Sequence, residues 1–361
     1  MTFVAERVER LRTATAAAGL DACLVTSDES IAYLTGFRPL QLERLFAVVI
    51  RAGDGGAVIV PRLDEGQLDG APEALRRVSY EAASDGIPEL VGALDGARRV
   101  GIEEDHLVFG RSQALAQRGV ELQPAGSVVM GLRMHKDERE IEAVRQACAL
   151  VEAALSRVFD ELRPGAVERV VNAGVESWLR EQGATDAHPL ILFGPDAANP
   201  HAEPGPRQLA AGDVVCADLS ACLDGYWGDL TRCATASPAS DWARSAWEVV
   251  RDAQAAAIAA CRPGTAGRDV DSAQRRIVEA RDDLGDCLHG AGHAIGLALH
   301  EPPFLVPRTD TPLEEGMIFT IEPGLYRAGV GGIRLEDDVV VRVGEPESLS
   351  SLPLDLIEVA T

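Results

Sequence analysis

Between residues 137 and 281 the chain places its apolar positions with a helical period, and it does so twice. Ile141, Val144, Cys148, Val151, Leu155, Val158 and Leu162 follow one another at three- or four-residue steps, which draws one apolar stripe along a long helix. Asp137 with Glu140 supplies a capping pair at its start, and Arg163-Pro164-Gly165 stops it. A second helix over 166–182 buries Val167, Val171, Val175 and Trp178 before Gln182-Gly183 ends it. The same order then returns: a helix over about 239–261, a stop at Arg262-Pro263-Gly264, and a helix over about 267–281. The two Arg-Pro-Gly stops are 99 residues apart, and so are His201 and His300. Such a repeat points to an internal duplication, two equivalent halves building one domain.

The first third of the chain follows a different pattern. A polar helix is expected over 3–18 and a buried strand at Ala22-Cys23-Leu24-Val25. Ala47-Val48-Val49-Ile50 and Ala57-Val58-Ile59-Val60 flank a Gly-rich turn and read as a hairpin. Strands at 77–80, 99–102 and 120–123 then alternate with helices at 86–94 and 107–117, which predicts an α/β domain. A boundary between Gly126 and Lys136 gives an N-terminal domain over 1–130 and a C-terminal domain over 131–361.

Composition narrows the function. A chain of 361 residues, 46% of them hydrophobic, can bury two cores. A net charge of −23 with no basic run excludes a nucleic-acid surface, since phosphate binding needs clustered cations. No stretch approaches 18 uninterrupted apolar residues and the first residues do not resemble an export signal, so neither membrane insertion nor export is expected. Seven cysteines without a CxxC pair argue against a disulfide framework or a thiolate zinc site and for the cytoplasm. Of 34 basic residues only Lys136 is a lysine, which reads as compositional bias without functional content.

The candidate chemistry centres on His289-Gly290-Ala291-Gly292-His293 and on to His300-Glu301, three histidines separated by small residues. Imidazole is the commonest metal ligand and the usual proton carrier near neutral pH. Each half also brings carboxylates next to apolar strands. Asp218 follows Val214-Val215-Cys216-Ala217, and Asp229 lies across an Asp224-Gly225 turn on the neighbouring strand of a hairpin. Glu322 follows Met317-Ile318-Phe319-Thr320-Ile321, and Glu336 lies beyond a glycine-rich turn. Carboxylates there are costly to bury unless a cation or hydrogen bonds compensate. Four carboxylates and one histidine suit two divalent ions with shared ligands, a pair that activates water and holds a tetrahedral intermediate. The oxygen-rich set favours Mn²⁺, with Co²⁺, Zn²⁺ or Fe²⁺ as alternatives.

The order Asp218, Asp229 in Asp-Gly-Tyr-x-x-Asp, His293 in Gly-His-x-Ile-Gly, Glu322 in Thr-Ile-Glu-Pro-Gly and Glu336 in Arg-x-Glu-Asp resembles the pita-bread metallopeptidases, in their prolidase and Xaa-Pro aminopeptidase branch. The likeness covers about 136–345. It implies an α/β N-terminal domain followed by an internally duplicated α+β pita-bread catalytic domain. It further implies that Asp218, Asp229, His293, Glu322 and Glu336 hold two metal ions, with Asp229 and Glu336 bridging. Glu322 would also be the acid/base.

On the same resemblance, His201 would contact the substrate near the scissile bond and His300 would stabilise the developing oxyanion. His289 would line the pocket and Arg334 would stand behind the ligand carboxylates. His106, His135 and His188 receive no role, Cys216 and Cys222 read as core residues, and Tyr226 and Trp227 as hairpin packing.

The expected activity is that of an Xaa-Pro dipeptidase acting on short proline-containing peptides, as a homodimer. The alternatives are an Xaa-Pro aminopeptidase, a proline-directed carboxypeptidase, or a non-catalytic binding module of the same fold. A dipeptidase must recognise a free carboxylate, for which arginine is well suited. Arg38 or Arg44, in the Gly- and Pro-interrupted loop 35–44, is the candidate.

Overall fold

A computed structural model, which describes residues 3–359, shows two units that part between Arg133 and Met134. In the first, the Val- and Ile-rich runs form central strands of a sheet with its own apolar core. Its elements are α1 (Phe3–Ala17), β1 (Ala22–Val25), α2 (Asp28–Thr35), β2 (Ala47–Arg51), β3 (Gly56–Pro61), β4 (Arg76–Tyr80), α3 (Ile87–Leu94), β5 (Arg99–Ile102), α4 (Phe109–Ala116), β6 (Glu121–Pro124) and α5 (Gly126–Arg133). The sheet order is β4-β3-β2-β1-β5-β6, and the expected hairpin is β2–β3, with Ala47 opposite Ile59. Helix α2 went unread in the sequence because it is short and opens on polar residues. Ser27 caps it by accepting from Ser30 N, and Gly36, at φ +73°, ends it.

The second unit begins with α6 (Glu138–Glu161) and α7 (Glu168–Glu181), then β7 (Asp186–Phe193), β8 (Val214–Leu223) and β9 (Tyr226–Ala236). The second repeat supplies α8 (Asp241–Ala260), α9 (Gly267–Val278), β10 (Gly292–Ala294), β11 (Glu301–Leu305) and β12 (Ile318–Ile321). The chain closes with β13 (Gly324–Arg327), β14 (Gly331–Arg334), β15 (Asp337–Val340), β16 (Glu347–Ser348) and β17 (Ile357–Val359). Two principal sheets result, β17-β9-β8-β7 and β11-β10-β12-β15-β16, with the β13–β14 hairpin beside them. The stripe on α6 is buried as expected, and Asp137 and Glu140 form a reciprocal capping box.

The duplication is written in the backbone. Gly165 N donates to Leu209 O, and Glu168 N to Arg207 O; in the second half Gly264 N donates to Leu313 O, and Gly267 N to Thr311 O. The antiparallel bridges Val167–Gln208 and Ala266–Pro312 correspond in the same way. Each second-half donor lies 99 residues on and each acceptor 104, so the second half is longer by a few residues beyond His300.

Helix α7 corrects one expectation. Only Val175 of the four anticipated apolar residues is buried; Val171 and Trp178 are half-covered and Val167 is the N-cap. The buried face also carries Glu168 and Asn172, which satisfy β7 and the loop after it. Asn172 Oδ1 accepts from Ile191 N at 2.8 Å and its Nδ2 donates to Ile191 O at 2.9 Å. Glu168 accepts from Phe193 N at 2.6 Å and Gly205 N at 2.9 Å. Strand β7 is the edge of its sheet, and polar side chains replace the strand it lacks. Replacing Asn172 by alanine strands both Ile191 groups, so the C-terminal unit is expected to lose about 2 to 4 kcal/mol in urea titrations followed by tryptophan fluorescence. A loss under about 0.5 kcal/mol would show that the edge is held otherwise.

Candidate active site

Strand register gathers the first three polar groups. Asp218 lies opposite Thr231 and Ser220 opposite Asp229, so Asp218, Asp229 and Thr231 share one face of the β8–β9 hairpin. Gly228, just before Asp229, has no room for a side chain, because a Cβ there would stand 2.5 Å from Cys148 N on α6. The second half supplies the facing groups: His293 in the middle of β10, Glu322 directly after β12, and Glu336 in the break between β14 and β15. Glu336 N donates to Thr231 O at 3.1 Å, joining the two halves at the site. Gly292 lets β10 run against β12, since a Cβ on it would lie 1.9 Å from Thr320 O.

The ligating atoms of Asp229, His293 and Glu336 lie within 4.8 Å of one another, and all three residues are buried. His293 Nε2 is 3.9 Å from Asp229 Oδ2 and 3.7 Å from Glu322 Oε1. Its Nδ1 donates to Ala294 O at 3.1 Å, which leaves the Nε2 lone pair facing the carboxylates. Asp218 turns Oδ2 to Arg334 Nη2. Thr231 donates to Glu336 Oε2 at 2.6 Å while accepting from Arg334 Nε at 3.2 Å, and Thr320 accepts from His293 N at 3.1 Å.

A second chain of bonds runs through the histidine that opens the segment. Arg334 Nη1 donates to Tyr326 Oη at 2.8 Å, and Tyr326 Oη donates to His289 Nε2 at 2.7 Å. His289 Nδ1 donates to Gly290 O at 2.9 Å and stands 4.0 Å from Glu322 Oε2. The imidazole of His300 lies against that of His293, ring centres 3.9 Å apart.

These positions set the electrostatics. Burial, with repulsion from Glu336 and Asp218, pushes the Asp229 carboxyl well above its usual range. Burial and the charge of Glu322 do the same to Glu336. Glu322 rises to about 7, through burial only partly offset by Arg334. Burial lowers His293 to about 3 and His289 to about 4, and lowers His300 as well. Asp229 Oδ1 is buried with no hydrogen-bond donor. A desolvated set of acceptors with an orphaned oxygen and a bare imidazole nitrogen fits divalent cations, and its oxygen-rich character suits a hard one.

The nine site residues expected in the catalytic half, His201, Asp218, Asp229, His289, His293, His300, Glu322, Arg334 and Glu336, all line one cavity of about 210 Å³. Pro200, Phe304 and Val306 give it an apolar wall. Arg38 and Arg44 belong to the first unit, Arg38 at 3.4 Å from Glu29 and Arg44 at 3.7 Å from Glu43. Arg44 also lines a larger hollow of about 880 Å³ in that unit, where no metal-binding group assembles among the described residues. Sequence reading passed over Tyr326, Thr231 and the Phe304–Val306 wall. Thr231 was within reach, because it sits two residues from Asp229 on the same strand face; Tyr326 was not, because its role depends on how the β13–β14 hairpin folds back.

Comparison with known proteins shows the family and the fold. Residues 142–343 match the model of metallopeptidase family M24, and residues 7–135 match the creatinase/prolidase N-terminal domain. A probable dipeptidase PepE of Mycobacterium tuberculosis is 34% identical, over 98% of this chain and 96% of its own. The structure of an Xaa-Pro dipeptidase from Bacillus anthracis superposes with a TM-score of 0.90 at 30% identity, covering 98% of this chain and 99% of that one. An X-Pro aminopeptidase from Thermotoga maritima superposes with a TM-score of 0.85 at 27% identity, covering 94% and 98%. No helix among the described residues is long and apolar enough to cross a membrane.

Two outcomes test the electrostatics. A carboxyl raised in the folded state, as Glu322 is from 4.5 to about 7, contributes stability fully present below about 4.5 and lost as pH climbs through 7. The metal-stripped protein should therefore weaken across that window, and the gain in Tm on adding Mn²⁺ should be larger at pH 8 than at pH 5.5. A pH-independent gain, read by scanning fluorimetry, would remove these carboxylates from the binding set. Asp229→Asn should lower bound metal per chain and cut turnover by about 100-fold or more; near-normal activity at full metal content would refute the assignment.

Proposed function

The chain belongs to metallopeptidase family M24 and is a metal-dependent, dipeptidase-like exopeptidase, and from this premise we propose that it hydrolyses the bond preceding proline in Xaa-Pro dipeptides. The observation that carries the proposal is the cavity itself. Its small volume, lined by apolar Pro200, Phe304 and Val306 as well as by the carboxylates and histidines, suits a proline ring and little more chain.

In this reading Asp218, Asp229, His293, Glu322 and Glu336 hold two metal ions. When bound, the ions supply Lewis acidity that polarises the scissile carbonyl and acidifies water. Manganese fits the oxygen-rich donors best. Glu322, steadied by Thr320, takes the proton of the attacking water and returns it to the leaving nitrogen. His300, its ring tilted against that of His293, donates to the oxyanion as it forms. His201, in the same cavity, faces the imide nitrogen, which lacks an N–H and so needs a partner other than a carbonyl. Arg334 fixes Asp218 and, through Thr231, Glu336, while Tyr326 fixes His289.

A homodimeric state and a cytoplasmic location belong to the same proposal; seven cysteines, six of them buried and none in a CxxC pair, support the latter.

After Mn²⁺ loading, kcat/KM for Xaa-Pro dipeptides should exceed that for Xaa-Pro-Xaa and for non-proline dipeptides by about tenfold or more. Faster release of the first residue from longer peptides would make the protein an Xaa-Pro aminopeptidase, and release of the last residue a carboxypeptidase. Alanine at Arg38 or at Arg44 should raise the dipeptide KM while leaving kcat in place. An unchanged KM removes that arginine from carboxylate recognition.

A further inference from the structure

Of 34 basic residues 33 are arginines, and the one lysine is sealed inside the catalytic half. Lys136 Nζ lies 3.0 Å from Glu301 Oε2, with side chains 2% and 1% exposed. Glu301 follows His300 directly, and its other oxygen accepts from Ala298 N at 3.1 Å. Between β10 and β11 the chain is irregular, so the turn that presents His300 borrows its shape from this carboxylate. Gly296 completes the nest: a Cβ on it would come within 2.8 Å of Lys136 Cε and 3.1 Å of Glu301 Oε2.

The backbone of Lys136 is fixed as well. Its N–H donates to Gly316 O at 3.0 Å, and Gly316, at φ +83°, leaves no space for a side chain, since a Cβ would stand 2.8 Å from Lys136 O. Gly316 leads into β12, at whose far end Glu322 stands. One residue thus braces the turn carrying His300 through its side chain and the entry to the strand before Glu322 through its backbone.

Burying two charges is costly, and an apolar pair of the same volume serves stability as well or better, so a buried pair is best explained by the geometry it imposes. We propose that Lys136 is a positioning residue: acting through Glu301, its ammonium fixes the 296–301 turn and so holds His300 where the oxyanion develops. A compact ammonium fits between Gly296 and Glu301, whereas the broad guanidinium that this chain uses everywhere else does not.

The test compares Lys136→Met, Lys136→Arg and Gly296→Ala in the full-length protein. Gly296→Ala keeps both charges and displaces the ammonium, so it serves where Lys136→Met fails to fold. Hydrogen exchange read by mass spectrometry should show amides in 295–301 exchanging about tenfold faster in each variant, with β7 and β8 unchanged. With Mn²⁺ bound, kcat on an Xaa-Pro dipeptide should fall about 10- to 100-fold, while KM and metal per chain stay within about twofold. Wild-type exchange and kcat in Lys136→Arg would overturn the proposal, as would unchanged exchange at 295–301. Exchange rising evenly across the catalytic half would reduce the pair to a structural one. The kinetic arm rests on the dipeptidase reading. If wild-type protein cleaves no peptide, that reading fails, and the exchange pattern alone decides the role of Lys136.

Discussion

Mutual repulsion among Asp218, Asp229, Glu322 and Glu336 is the constraint around which the catalytic half is arranged. Each carboxylate comes from a different segment, and burial raises the cost of holding them together. The fold meets that cost with backbone that has nowhere else to go: α6 packed without a gap on Gly228, β10 pressed on Thr320, and Glu336 laddered to Thr231. Arg334 is the cation facing the site, with Asp218, Thr231 and Tyr326 as partners. Buried Arg232 ties Asp337 at 2.7 Å to the carbonyls of Leu352 and Pro353, so the last turns of the chain brace the strands that carry these carboxylates.

The duplication explains why such a site can form at all. Equivalent strands deliver Asp218 and Glu322, and equivalent positions deliver His201 and His300, so two copies of one plan place like groups across a shared cavity. Neither half encloses it. The asymmetry is as informative as the symmetry, because His293 has no counterpart histidine in the first half.

Much of this was legible in the sequence because it depends on periodicity and local order. The stripe on α6, the hairpins and the carboxylates beside apolar runs are decided by neighbours along the chain. What escaped depends on neighbours in space. Glu168 and Asn172 look like the polar side of an amphipathic helix until β7 is seen to need donors and acceptors. Tyr326 gains its role only when its hairpin brings it between His289 and Arg334. Along the chain Lys136 reads as an accident of composition, and only its burial against Glu301 gives the side-chain ammonium a reason.

That lone ammonium also governs how the protein meets amine chemistry. Reagents that acylate or glycate lysine, and enzymes that build isopeptide bonds on it, find no side-chain acceptor on the folded surface, because the single one is enclosed with its carboxylate. An acceptor appears only when the catalytic half opens. Covalent marking at Lys136 would therefore record the opening history of each molecule, and any tagging system that relies on lysine would reach unfolded copies while passing over intact ones.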